Sequence, residues 1–143
     1  MLGELIKLNQ YIDEDGYLVS MEPEKDLPIE IKRAFYISGV KKNGVRANHA
    51  AINASFVFIS VEGSIRIKLT NGMITEKYIL EKGSFPLYVK ENTWITADCF
   101  SSEDAVLLVF SDKSYNSCVY ENNYANYIFR REKIDEICNN RSQ

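Results

Sequence analysis

The stretch Ser64-Ile65-Arg66-Ile67-Lys68-Leu69-Thr70-Asn71-Gly72-Met73-Ile74-Thr75-Glu76-Lys77-Tyr78-Ile79-Leu80 decides the fold. Ile65, Ile67 and Leu69 alternate with Arg66, Lys68 and Thr70, the period of a strand with one buried face and one wet face. Asn71-Gly72 favours the left-handed backbone that a tight hairpin requires, and Met73 to Leu80 returns along the first strand. Asp15-Gly16, Asn43-Gly44 and Glu62-Gly63 mark further turns between apolar or alternating segments. The remaining strands are expected over Leu5–Tyr11, Tyr17–Glu22, Ile31–Ser38, Ser55–Val61, Phe85–Val89, Thr93–Asp98 and Ala105–Phe110. Short strands at regular spacing with turn residues between them imply an all-β sandwich or barrel.

Two segments, Phe56 to Ile59 and Ala105 to Phe110, are continuously apolar. Such runs suit strands covered on both sides, as in a barrel wall packed against a partner subunit. Beyond Ser111 the pattern changes. Lys113 to Asn126 is rich in Tyr and Asn and reads as loop or short helical turns. Its tyrosines Tyr115, Tyr120 and Tyr124, with Tyr127 just beyond, read as a packing surface over one end of the barrel. Ile134, Ile137 and Cys138 sit at helical spacing, so a helix is expected within Ile128 to Cys138. The chain shows no repeat, low-complexity tract or linker. The expectation is one domain over residues 1–143, a barrel at about 5–111 followed by a Tyr-rich tail and C-terminal helix at 112–143.

Composition narrows the function. A formal net charge of −3 and a pI near 5.3 argue against a nucleic-acid footprint, which needs a basic face. No signal peptide is visible at the start, and no apolar run reaches the roughly 20 residues that span a bilayer, so no membrane partner is expected. Cys99, Cys118 and Cys138 are widely spaced with no C-x-x-C, which reads as free thiols in a reducing cytoplasm. A transition-metal site built from two or three imidazoles is excluded on paper, because His49 is the only histidine. No metal or other cofactor is expected.

His49 reads two ways. It is either a structural side chain or, with Arg46 three residues before it, one of two groups facing a barrel mouth where small ligands bind. Arg33 is either a charge on the solvent side of an edge strand or a planar guanidinium that grips a phosphate. Tyr36 is either core filler or an acid/base in a polar pocket. Trp94 reads first as a core anchor and second as a stacking platform, and the Lys41-Lys42 pair as a solvated turn.

Three stretches carry a resemblance: Ile31-Lys32-Arg33-Ala34-Phe35-Tyr36-Ile37, Arg46-Ala47-Asn48-His49-Ala50 and Glu62-Gly63-Ser64. With Gly83 to Val89, Trp94, Val106 to Phe110, Ser111-Asp112-Lys113-Ser114-Tyr115-Asn116, Tyr120 and Tyr124, they resemble the sugar 3,4-ketoisomerase family. The likeness runs from about Leu5 to Phe129. It implies a jelly-roll cupin barrel of the RmlC type with a short C-terminal helix. It implies acid/base isomerisation of dTDP-4-keto-6-deoxyglucose without a metal, in deoxysugar synthesis for O-antigen, lipopolysaccharide or S-layer glycans. His49 and Tyr36 would then be catalytic, Arg33 and Arg46 would hold the diphosphate, and Trp94 would line the substrate site. A homodimer, with N-terminal strands exchanged between subunits, belongs to the same expectation.

The chain departs from the family at the chemistry. The family pattern is roughly R-G-x-H-A-H-K-x-x-x-Q, of which Arg46 and His49 match. The second histidine is replaced by Ala51, the lysine by Ile52 and the glutamine by Phe56, and Ile95 stands where another histidine often follows Trp94. Two imidazoles near neutral pKa suit proton shuttling, so one imidazole leaves fewer relays. Three readings follow: a working isomerase, a relative that binds a nucleotide sugar or other small ligand without turnover, and a structural or partner-binding cupin with an apolar, filled pocket.

Overall fold

The computed structural model describes residues 1–141, and its strands fall between the turn signals. The chain begins with β1 (Gly3–Leu5) and a small hairpin, β2 (Gln10–Asp13) and β3 (Gly16–Val19), turned at Glu14-Asp15. Next come β4 (Arg33–Ile37), β5 (Arg46–Ala51) and β6 (Phe56–Glu62). The deciding hairpin is β7 (Ser64–Thr70) and β8 (Thr75–Glu81), paired from Ser64↔Glu81 to Thr70↔Thr75. Then follow β9 (Leu87–Val89), β10 (Thr93–Asp98), β11 (Val106–Ser111) and the two-residue β12 (Tyr120–Glu121). Helix α1 (Tyr124–Arg141) closes the described chain.

Two antiparallel five-stranded sheets, ordered β1-β9-β6-β11-β4 and β12-β5-β10-β7-β8, bury their inner faces on one another. Ile65, Ile67 and Leu69 are fully buried there, as their period requires. They meet Phe56, Phe58, Leu87, Leu107 and Val109 from the opposite sheet. Gly63 turns β6 into β7 at φ 74°, and a Cβ there would lie 2.9 Å from that of Ala105, so the turn needs glycine for both conformation and space.

The apolar runs have a different explanation from the one expected. Val57 on the outer side of β6 is fully buried, but by this chain's own segment carrying Leu27 and Ile29. Ile59 and Phe110 pack against the same cluster. The two-sided strands therefore need no second subunit. On the outer face of the other sheet, the patch around Ala50 and Trp94 is covered by α1, whose Tyr127 packs on both.

Helix α1 begins four residues before the expected start because Asn123 caps it, its side chain accepting from the Asn126 amide at 2.9 Å. The Tyr127 hydroxyl donates to the Asn92 carbonyl at 2.8 Å and fixes the helix on the sheet. Ile134 and Ile137 remain exposed, so their helical spacing marks a face that this chain alone does not cover. β5 lay outside the expected strands. Ala47 and Asn48 within it adopt φ of 61° and 59°, and the pairing with β10 slips by one residue at that point. This is a β-bulge, which neither strand period nor turn composition announces.

Candidate active site

The bulge builds the site. Across from β5, Ile95 and Ala97 of β10 point into the barrel, and they pair with His49 and Arg46 respectively. Directly paired residues share a face, so His49 and Arg46 both point inward. They line a cavity of about 410 Å³ at one end of the barrel. That volume lies within the roughly 300–1,000 Å³ of small-molecule sites. The cavity is open, so the reading of a barrel filled by apolar side chains is set aside.

Arg33 enters from β4 on the same side as Phe35 and Ile37. Its guanidinium carbon lies 4.3 Å from the Phe35 ring centre and 5.0 Å from that of Tyr115, so two aromatic faces hold the cation. Nη1 of Arg33 donates to the Tyr120 hydroxyl at 2.9 Å. The Tyr120 ring in turn lies 4.6 Å from the His49 imidazole, tilted by 54°. Arg33, Tyr120 and His49 thus form a connected row along the wall. The Asn122 side chain, also lining the cavity, hydrogen-bonds to His49.

Burial sets the protonation states. It pushes His49 below its ordinary 6.5, against the weaker opposing effect of the Asn122 hydrogen bond. The imidazole is therefore neutral at pH 7. Burial pushes the Tyr120 phenol and the Cys118 thiol beside it upward, with Arg33 opposing both shifts. Among the described lining residues there is one imidazole and no carboxylate, and no group of three or more His, Cys, Asp or Glu gathers where a metal would bind. Cys99 and Cys118 are free thiols.

Two expected site residues turn their side chains away from the barrel interior. Tyr36 follows Phe35 and so faces outward, paired with the outward Leu108 and 71% exposed. It is nonetheless among the residues that line the cavity. Trp94 precedes the inward Ile95, so it faces the outer side of β10 and is 6% exposed beneath α1. Its ring meets Tyr124 at 5.1 Å and Tyr127 at 5.6 Å, which makes it the anchor of the helix and not a wall of the site.

Tyr120 and Asn122, by contrast, come from the tail that read as loop and packing surface. Asn53 carries them in. Its side chain donates to the Ser117 carbonyl and accepts from the Val119 amide, both at 2.8 Å, laying β12 along the edge of β5. The family resemblance reaches Tyr120 without giving it a role, and nothing in the sequence pointed to Asn122. Of the residues replacing the family pattern, Phe56 and Ile95 line the cavity, Ala51 lies in the main core, and Ile52 packs toward Trp94 and Tyr127.

Face-to-face antiparallel sheets with a ligand-sized cavity at one end define a cupin of the RmlC type. The rmlC epimerase of Mycobacterium tuberculosis shares this fold at a TM-score of 0.69 and 11% identity, over 80% of this chain and 65% of that one. The family model FdtA (WxcM-like, C-terminal) matches residues 1–132, and the chain belongs to that family. A curated relative, the TDP-4-oxo-6-deoxy-alpha-D-glucose-3,4-oxoisomerase of Aneurinibacillus thermoaerophilus, is 32% identical over 127 residues, which are 89% of this chain and 91% of that protein. A mutant of the 3,4-ketoisomerase QdtA from Thermoanaerobacterium thermosaccharolyticum, solved with TDP-4-keto-6-deoxyglucose, superposes with a TM-score of 0.86 at 30% identity, covering 92% of this chain and 95% of that one. The WlaRB TDP-quinovose 3,4-ketoisomerase of Campylobacter jejuni gives 0.81 at 33% identity, covering 88% and 96%. No described helix is long and apolar enough to cross a membrane.

Proposed function

We propose that this protein isomerises a TDP-linked 4-keto-6-deoxyhexose to the 3-keto sugar by acid/base chemistry without a metal. The observation that carries the reading is the convergence of one neutral imidazole, His49, with the guanidinium of Arg46 in an open cavity. A neutral imidazole is the form that accepts a proton, here the one on C3, which is acidified by the neighbouring carbonyl. Arg46 at the exposed mouth and Arg33 deeper along the wall are fixed cationic donors of the kind a diphosphate needs. Solved relatives were crystallised with TDP and with TDP-4-keto-6-deoxyglucose, which supports the substrate class.

The apolar floor supports a second reading. Phe56, Phe58 and Ile95 line the cavity beneath His49, and Ala51 supplies no second imidazole. A protein that binds the nucleotide sugar without turnover fits that floor. In either case the reading puts the protein in the cytoplasm, in deoxysugar synthesis for O-antigen or S-layer glycans, as a homodimer. The exposed residues of the β2–β3 hairpin support the dimer, because the pairs Tyr11–Leu18 and Ile12–Tyr17 leave each of its two faces apolar and uncovered.

Calorimetric titration with TDP and a TDP-hexose, on wild type, Arg46→Ala and His49→Asn, tests binding. NMR of TDP-4-keto-6-deoxyglucose tests turnover. Binding that needs Arg46 and conversion that needs His49 support the isomerase, binding without conversion supports the second reading, and no binding at millimolar ligand overturns both.

A further inference from the structure

With the second family histidine absent, the proposed isomerisation still needs a group that moves protons between the sugar oxygens. A single imidazole moving a proton from C3 to C4 does not by itself complete the reaction, because O3 must lose a proton and O4 gain one. We infer that Tyr120 is this second group: its hydroxyl, held by Arg33 beside His49, relays the proton between O3 and O4. The inference rests on the isomerase reading above.

Four observations converge on it. The hydroxyl accepts from Arg33 Nη1 at 2.9 Å, a bond that does not use the phenolic proton; that proton rests on the Cys118 sulfur, a weak acceptor it can leave for a sugar oxygen. The ring lies 4.6 Å from that of His49, so a hexose lying against the imidazole is within reach of the phenol. Tyr120 lines the cavity, on a strand paired with Ala51, the position from which the second histidine is missing. Its polar neighbours are also suited to the task. Arg33, His49, Cys118 and Tyr115 surround it, so a phenolate formed during the reaction faces a guanidinium and no carboxylate. Burial keeps the resting phenol protonated, the form that can act first as an acid.

The step balances. His49 takes the proton from C3 as the C3–H bond breaks and the C3=C4 bond forms, and the carbonyl electrons move to O4. O4 takes the proton of the Tyr120 hydroxyl, giving an enediol and a phenolate facing Arg33. The phenolate then accepts the O3 proton as the C3 carbonyl forms, and His49 returns its proton to C4. One proton has moved from C3 to C4 and one from O3 to O4. Both residues end as they began, with no oxidant or reductant involved.

Tyr120→Phe keeps the ring and removes the hydroxyl. Conversion of TDP-4-keto-6-deoxyglucose is expected to fall by about 10²- to 10⁴-fold, the usual loss for a general acid/base, while TDP affinity stays within about threefold. In D₂O, deuterium exchange at C3 is expected to outrun product formation in this variant, because His49 still acts on carbon. Fluorotyrosine at position 120, a more acidic phenol of nearly the same shape, should move the alkaline limb of the rate profile to lower pH, which a purely structural tyrosine would not do. A wild-type enzyme that converts the sugar alongside an equally fast Tyr120→Phe variant overturns the role of Tyr120 alone. A wild-type protein that converts nothing overturns the isomerase reading itself.

Discussion

Arg46 and His49, three residues apart on β5, face the same cavity because they pair with Ala97 and Ile95 across a bulge at Ala47-Asn48. In a regular strand an odd spacing sends two side chains to opposite faces. The extra residue of the bulge restores a common face, and places the cation of the mouth and the imidazole of the wall in one site. This geometry depends on two non-glycine residues in the left-handed region, where an L-residue is disfavoured by roughly 1–2 kcal/mol.

The bulge is therefore the first target. Asn tolerates the left-handed conformation and a β-branched residue does not. Asn48→Val is expected to lower stability by about 1–2 kcal/mol in urea unfolding and to reduce sugar conversion at least tenfold. Asn48→Gly should keep both. Equal activity of the valine variant would show that the alignment of Arg46 with His49 does not depend on the bulge.

The pH dependence follows from His49. Its pKa in the fold lies below 6.5, so the neutral base persists to lower pH than a free histidine would allow. The acid limb of kcat/KM should fall below pH 6.5. Stability has the same sign. The unfolded chain binds this proton more tightly, so stability is full above about pH 6.5 and is lost as pH falls toward the folded value. His49→Asn should flatten that part of the stability profile, measured by urea midpoints between pH 5 and pH 8.

Thr93 offers a test of the core. Its side-chain hydroxyl is 1% exposed as a residue and has no hydrogen-bond partner among the described residues. Thr93→Val replaces that hydroxyl by a methyl of the same shape, and is expected to raise stability by about 1 kcal/mol because an unpaired buried hydroxyl is removed. A comparable loss would reveal a bound water as its partner.

Tyr127 should carry the docking of α1. Tyr127→Phe removes the hydroxyl bonded to the Asn92 carbonyl and is expected to cost about 1 kcal/mol, since Arg131 still donates to that oxygen. Tyr127→Ala empties a fully buried site and should cost about 3–5 kcal/mol. Hydrogen exchange across α1 should accelerate in the alanine variant before the sheets open.

The sequence by itself determined most strands of the two sheets, though not β5 or β12. Period-2 alternation from Ser64 to Thr70 is a local signal, because each side chain's face follows from its own position in the strand. Asn71-Gly72 and Glu62-Gly63 are equally local, since their backbone angles are what those residues favour. His49, Arg46 and Arg33 were legible as a group because their residue types and order match those of a family that handles nucleotide sugars. Only the tertiary structure decided which side chains share the cavity. Tyr36 and Trp94 lie one residue from inward-facing neighbours, and a shift of one residue reverses the face. Tyr120 reaches the wall through a two-residue strand held by Asn53, 67 positions before it in the chain and too short to leave a period. A bulge and a folded-back tail are long-range pairings. Their partners lie far apart in sequence, so no window of neighbouring residues contains both halves of the contact.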